Sequence, residues 1–335
     1  MAVVWLTNGM RPHHVTTALL ALAFAIAPAV AQNQSEREPP LRIVVTVPAG
    51  AISDRVARLL AERLQSSGSR PVIVENKVGA GGRIAVDVLR RSAPDGSTVL
   101  LVPIIVPVIA PLVFKDLNYD PRRDMAPVSQ VATYQLALAV AADHPARTLR
   151  EFVAWSKTNS RQATFGTPAA GSLAHFLGVA LGREAGIELV HVPYQGAGQL
   201  EIDLIGGEVA SGIAALSDLA PQHRAGRIRI LATSGVERSK LLPAVPTFRE
   251  QGFETVEATG WHAVYAPAAT PVQVIDRLSG AIVAALESPE LRAKLVALGV
   301  EPTGTTPEQL ASIMAADTAH WAPIIKAAGF HAPRQ

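Results

Sequence analysis

The chain has 335 residues, 49% of them apolar, and a formal net charge of +2, a balance suited to a globular protein with material for two domains. No run of Lys and Arg reaches five residues and only 5% of residues are aromatic, which excludes a basic stripe or a stacking platform for nucleic acid. The chain has no Cys, which excludes thiol chemistry, disulfides and Cys-ligated metals.

Residues 1–31 read as a targeting segment. Arg11 supplies the positive start, "VTTALLALAFAIA" an apolar stretch too short for a comfortable membrane span, and Ala29–Ala31 a small-x-small site, with cleavage after Ala31. Export to an oxidising compartment follows. Residues 32–40, "QNQSEREPP", read as a polar linker. From there apolar runs alternate with helical periodicity. The predicted strands are 42–47, 71–75, 98–102, 128–141, 162–166, 187–192, 208–215, 228–233 and 261–266. Val56, Leu59, Leu60 and Leu64 form one helical stripe, and Leu173, Phe176, Leu177 and Leu181 another. "TLRE", Thr148 to Glu151, is a capping box. Thr270-Pro271, Ser288-Pro289 and Thr306-Pro307 each place a capping residue before Pro, predicting helices near 271–287, 289–299 and 307–317. The alternation predicts an α/β protein with mostly parallel sheet, in which ligands gather at the carboxyl ends of strands.

Two strand-to-helix loops therefore stand out. Loop one is "VPAGAISD", residues 47–54. Gly50 with Ala49 and Ala51 keeps side chains away, Ser53 or Asp54 can cap the helix, and a helix N-terminus suits a carboxylate. A plain turn fits the same residues. Loop two, within "TFGTPAAGSLAHF" (164–176), repeats the layout, with hydroxyls on Thr167 and Ser172 and N–H groups at Gly171 and Ser172. "ENKVGAGGRIAVDVL" (75–89) fails the dinucleotide pattern because Ile84 stands at the third Gly, and reads instead as a tight turn with close packing. His191 reads as a structural histidine ending a strand. The His residues form no H-x-x-x-H pair, and neither G-x-S-x-G nor H-E-x-x-H occurs, so no metal, cofactor or hydrolase site is expected.

Along residues 41–331 the chain resembles the Bug family, the substrate-binding proteins of tripartite tricarboxylate transport systems. The resemblance is carried in order by "VPAGAISD", "PVIVENKVGAGG", "APDGSTVLL", "LNYDPRRDMAPVSQVA", "VHVPYQGAG", "DLIGGEV", "RAGRIRILATS", "LPAVPTFREQGF" and "APAATP". It implies a type II periplasmic binding protein: two α/β lobes around a central ligand cleft, lobe 1 from 41–131 and 235–331, lobe 2 from 132–234, with crossovers near 131–135 and 232–236. It implies a non-enzymatic, monomeric receptor whose partners are a small carboxylate and the membrane subunits of the transporter. A sensing protein paired with a signalling receptor, or an enzyme using the same cleft, are the alternatives. By resemblance Ala49, Gly50, Ala51 and Ser53 line one jaw and Thr167, Ala170, Gly171 and Ser172 the other. Asp54 is expected as a helix cap, and His175 behind loop two.

The chain departs from the family pattern at Ala51 and Ala169, which replace glycines. Either the turns avoid positive φ there, or the anion sits differently. Apolar "VPIIVPVIAPLVF" (102–114) and Ala214-Ala215 stand where the family is polar. Either these residues make the cleft suit a monocarboxylate with an apolar or aromatic body, or they face the core.

Overall fold

The computed structural model describes residues 1–2, 39–68 and 70–330, so the expected cleavage site at Ala31 lies outside the described residues. Among these the strands are β1 (Leu41–Val45), β2 (Val72–Asn76), β3 (Thr98–Pro103), β4 (Met125–Ala141), β5 (Thr164–Thr167), β6 (Val190–Pro193), β7 (Ser211–Ala215), β8 (Ile228–Thr233), β9 (Thr259–Pro267) and β10 (Glu301–Pro302). The α-helices are α1 (Ile52–Ser67), α2 (Arg83–Arg91), α3 (Ala110–Val113), α4 (Pro121–Asp124), α5 (Leu149–Thr158), α6 (Leu173–Ala185), α7 (Ala197–Gly206), α8 (Leu216–Arg224), α9 (Val272–Leu286), α10 (Pro289–Ala297) and α11 (Pro307–Ala328). No helix among the described residues is long and apolar enough to cross a membrane.

Two sheets share one long strand. In the first, β2, β1 and β3 run parallel, β9 pairs antiparallel with β3 and with the first half of β4, and β10 closes beside β4. In the second, β8 and β7 pair antiparallel with the second half of β4, and β5 and β6 continue parallel to β7. The change of partner falls between Gln135, opposite Thr259, and Leu136, opposite Ala215.

Residue alternation explains the layers. Ile43, Val45, Val99 and Leu101 point to the side where Val56 and Leu60 of α1 and Ile275 and Leu278 of α9 pack. Val44 and Leu100 point to the other side, against Ala85, Val86 and Leu89 of α2. Burial on both faces is why these strands read as unbroken apolar runs. The α2-side core continues through Leu136 and Leu138 of β4 to Phe165, Phe176 and Leu177, and takes in Leu310, Trp321 and Ile325 of α11. Each such fully buried side chain contributes about 1.5–3 kcal/mol. Trp261, itself buried, donates its indole N–H to Asp317 of α11 at 2.7 Å, so the last helix is pinned by a hydrogen bond as well as by packing.

Ser288 and Thr306 cap α10 and α11 as predicted, Thr306 in a full capping box with Gln309. Thr270 does not cap: α9 begins at Val272 with Pro271 as its N-cap. The helix predicted over 307–317 continues through Pro323 to Ala328. At Gly79–Gly82 four successive residues, Ala80 included, have positive φ, and a Cβ on Gly82 would lie 3.0 Å from Val106 and 3.2 Å from Thr46. That turn is a packing device.

The segment between β8 and β9 docks on the second sheet's elements. Phe248 N–H donates to Thr233 O (3.0 Å), Leu149 N–H to Gln251 Oε1 (3.0 Å), Gln251 Nε2 to Leu231 O (2.8 Å) and Thr255 N–H to Glu184 Oε2 (3.0 Å).

Candidate functional site

Strand direction decides where the loops go. β3 ends at Pro103, opposite His262, while β9 runs alongside Thr133 and Tyr134 of β4. β7 ends at Ala215, opposite Leu136. With β1 parallel to β3, and β5 parallel to β7, the carboxyl ends of both sheets' parallel strands converge on residues 133–136 of β4. Loop one follows β1 and loop two follows β5, so both open toward this seam.

Loop one turns at Gly50, whose φ is +87°. Its N–H donates to Asp54 Oδ2 at 2.8 Å. Asp54, 1% exposed, also takes Asn76 Nδ2 at 2.9 Å and a two-point contact from Arg58, at 3.0 and 2.9 Å. Burial acts to raise the Asp54 pKa, but the bonds from Arg58, Gly50 and Asn76 outweigh it and the carboxyl is held below its ordinary value. Asn76 further donates to Val47 O at 2.9 Å, tying the loop to the end of β2. The N-cap of α1 is Ala51, in extended backbone (φ −65°, ψ 159°), and no side chain caps the helix. Ser53 and Asp54 therefore do not cap α1: Asp54 reaches back from the third helical position to Gly50. Among the described residues the N–H groups of Ile52 and Ser53 meet no acceptor. They form an open helix N-terminus beside the buried Ser53 hydroxyl.

Loop two turns at Gly171, φ +70°, and its N–H donates to His175 Nδ1 at 3.1 Å. Ser172 caps α6, accepting from His175 N–H at 3.2 Å, and keeps its own hydroxyl proton. Thr167 is fully buried. Its hydroxyl donates to Ala169 O (3.0 Å), so at the 2.7 Å contact with His191 Nε2 the imidazole donates. His175 and His191 stack at 3.8 Å, 12° apart. Burial lowers both pKa values, His191 to about 4 with His175 contributing, so both rings are neutral at neutral pH. His191 thus supports loop two from behind together with His175. Phe330, just beyond α11, sits edge-on to His175 and Phe176, and a Cβ on Gly171 would lie 2.6 Å from its ring. Nothing in the loop's own sequence signals that neighbour.

The predicted site residues thus take different parts. The N–H groups of Gly50 and Gly171 are taken up inside their loops. Thr167 is closed off. Ala51 and Ala169 both avoid positive φ, which answers how alanine fits there. A cavity of about 370 Å³ is lined by Gly50, Ala51, Ile52 and Arg55 on one wall, and by Ser217 and Asp218 at the start of α8 on the other. Loop two contributes no lining residue to it. Ser217 and Asp218 went unmarked in the sequence. Of the apolar run, Val102, Ile104, Val106, Val108, Ile109 and Val113 are buried in the core, as is Ala214. Most of the run therefore packs the α2-side layer, while Pro107, Val108, Pro111 and Phe114 line a separate cavity of about 690 Å³ with Met125 and Met314.

Similarity to known proteins agrees with this architecture. A model of the tripartite tricarboxylate transporter family receptors matches residues 56–330. Protein BugT of Bordetella pertussis is 33% identical over 311 residues, covering 92% of this chain and 95% of BugT. Among solved structures, Rpa4515 of R. palustris, determined with adipate, superposes with a TM-score of 0.78 at 29% identity, covering 88% of this chain and 98% of that one. The periplasmic binding protein BugD superposes at 0.74 and 30% identity, covering 88% and 99%. On the match through residues 56–330 and the near full-length likeness to BugT, the chain belongs to the Bug family of tripartite tricarboxylate transporter receptors.

Proposed function

We propose that this chain is an extracytoplasmic receptor that captures a small carboxylate between two lobes and delivers it to a membrane transporter of the tripartite tricarboxylate type. It acts in the periplasm after cleavage near Ala31, as a monomer and without catalysis. The observation that carries the reading is the open N-terminus of α1: Ile52 and Ser53 N–H groups without a cap, at a cavity on the seam between the sheets. An anion is the natural partner of such an end. The relative determined with adipate supports a carboxylate.

Lobe 1 is then 39–135 with 259–330, and lobe 2 is 136–258. We place the second crossover at 258–259 rather than at 232–236, because 246–258 hydrogen-bonds to lobe 2 elements, while Glu237 and Lys240 reach across to Gln135 and Glu301 of lobe 1. In the ligand-bound state Ile52, Ser53 and the flanking Ala49, Gly50 and Ala51 form one jaw. Ala170, Ser172 and the first N–H groups of α6 form the other, with Thr167 and Gly171 shaping the turn rather than touching ligand. One helix end contributes roughly 0.3–1 kcal/mol when exposed, whereas micromolar binding needs about 8 kcal/mol. Both jaws must therefore close and exclude water, and the ligand favours the closed form by its higher affinity for it. The test is a thermal-shift screen of the mature chain against mono-, di- and tricarboxylates. Stabilisation by at least one carboxylate is expected; no shift with any would overturn the reading.

A further inference from the structure

We propose that the cavity between the turn after β3 and α11 is a binding site in its own right, for a small amphipathic monoanion: an apolar body with one anionic group at its end. The site is independent of the receptor reading. Every residue that lines it falls within 107–127 or 311–318, and neither loop one nor loop two contributes.

Prolines open this cavity. After β3 the chain makes a π-helical turn over Ile105–Ile109, in which Ala110 N–H reaches Ile105 O, five residues back. Pro111 comes next and has no N–H to give to Val106 O. The Tyr119 hydroxyl supplies that bond instead, at 2.7 Å. It holds the segment 114–122 against the turn, and α11 supplies the remaining wall. The space left is about 690 Å³, within the roughly 300–1,000 Å³ of small-molecule sites.

The lining fixes the chemistry of the occupant's body. Val108, Tyr119 and Met125 are buried at the floor, with Phe114, Leu117 and Met314 half-buried around them. Pro107, Pro111, Pro121 and Pro127 bring no N–H donor. The two neutral hydroxyls in the lining are already engaged: Tyr119 donates to Val106 O, and Thr318 donates to Met314 O at 2.7 Å. A polar body would lose its hydration there without replacement. The flexible thioethers of Met125 and Met314 suit an apolar one.

The mouth has a different character. Lys115 and Arg122 line it with exposed side chains, and among the described residues neither has a carboxylate partner. Asp120 is the acid in the lining. It is the N-cap of α4, and its Oδ1 accepts from the Arg122 backbone N–H at 2.9 Å. Asp124 does not line the cavity and is shared by Arg90 at 3.5 Å and Arg123 at 3.4 Å. Two cations against one acid leave the mouth net positive above an apolar floor. That combination selects one anionic group on an apolar body.

Calorimetry on the full mature chain compares octanoate with octanol and octylammonium, and with butyrate and hexanoate as shorter acids. Affinity is expected to rise about two- to fourfold per methylene from butyrate to octanoate. Octanoate should bind about five- to tenfold tighter than octanol, the scale of two solvent-accessible ion pairs, and octylammonium should bind weakest. Lys115→Gln combined with Arg122→Gln, both at exposed positions, should bring octanoate and octanol within about twofold of each other. Ala315→Trp, at an exposed position on α11, should fill the mouth. It should weaken octanoate and octanol alike by more than about tenfold and leave the melting temperature of the free chain as in the wild type. Octanoate binding that Ala315→Trp leaves unchanged would place the alkanoate elsewhere in the protein and overturn the inference. Octylammonium matching octanoate, or no binding by octanoate, would overturn it too. Each of these results leaves carboxylate capture at loop one standing.

Discussion

Loops one and two solve the same problem with different chemistry. Each follows a parallel strand, turns at a glycine with positive φ, and donates that glycine's N–H to the side chain four residues on, which sits buried at the third position of the next helix. In loop one the acceptor is a carboxylate, charged and held by Arg58 and Asn76. In loop two it is an imidazole, kept neutral by burial and stacked on a second imidazole. The helix ends differ too: Ser172 caps α6 while Ala51 leaves α1 open. In both loops the conspicuous glycine shapes the turn, and the N–H groups left for a ligand lie one or two residues further on.

The largest expected effects separate the two acceptors. Asp54→Ala strands buried donors from Gly50 and Asn76 and an arginine, and should cost about 3–5 kcal/mol of unfolding free energy. His175→Ala removes neutral bonds and a stacked ring, and should cost about 2–3 kcal/mol. Urea denaturation of both variants checks the order; equal losses would remove the contrast. The glycines come next. Gly171→Ala meets both an unfavourable φ and the Phe330 ring at 2.6 Å, whereas Gly50→Ala meets only the φ, with nothing within 4 Å. We expect about 2–3 kcal/mol for the first and about 1 kcal/mol for the second. Phe330→Ala should recover part of the first loss and none of the second.

Acid should distinguish the loops as well. His175 and His191 have folded pKa values below their ordinary 6.5, so the unfolded chain binds more protons as pH falls from 6.5 toward about 4. Their stabilisation is complete above 6.5 and is lost through that window. The Asp54 contribution is present above its ordinary 3.8 and is lost only at lower pH, as the depressed folded value is passed. Stability measured from pH 7 to 4 should therefore decline in the wild type and decline less in a His175→Gln, His191→Gln double variant, in which His144 and His262, also lowered by burial, still contribute. An unchanged slope would contradict the assignment.

Much of this was legible from residue patterns because burial and turn chemistry are local. Apolar runs such as Ile43–Val45 in β1 and Val99–Val102 in β3 need no distant information, and the capping pairs at Ser288 and Thr306 set two helix starts. What escaped the sequence depends on distant partners. The segment 235–258 has no periodicity, and individual bonds such as those from Gln251 and Thr255 attach it to the second sheet's elements. Strand β10 is two residues long and contains Pro302. Phe330 reaches loop two from beyond α11, and Asp218 reaches loop one only because the two sheets meet along β4. The glycine-to-side-chain spacing of four residues was visible, at Gly50 and Asp54 and at Gly171 and His175, but its meaning needed the positive φ.

The open end of α1 can itself be closed with a side chain. Ala51 already has the extended backbone of an N-cap residue, so Ala51→Asp should cap the helix and raise the ligand-free melting temperature, by about 1 kcal/mol of added stability. The new carboxylate occupies the place the ligand's carboxylate takes. Measured by thermal shift with a carboxylate that stabilises the wild type, the expected result is a more stable free protein whose ligand-induced shift is lost. A variant that is stabilised and still shifts as the wild type does would contradict carboxylate capture at this helix end.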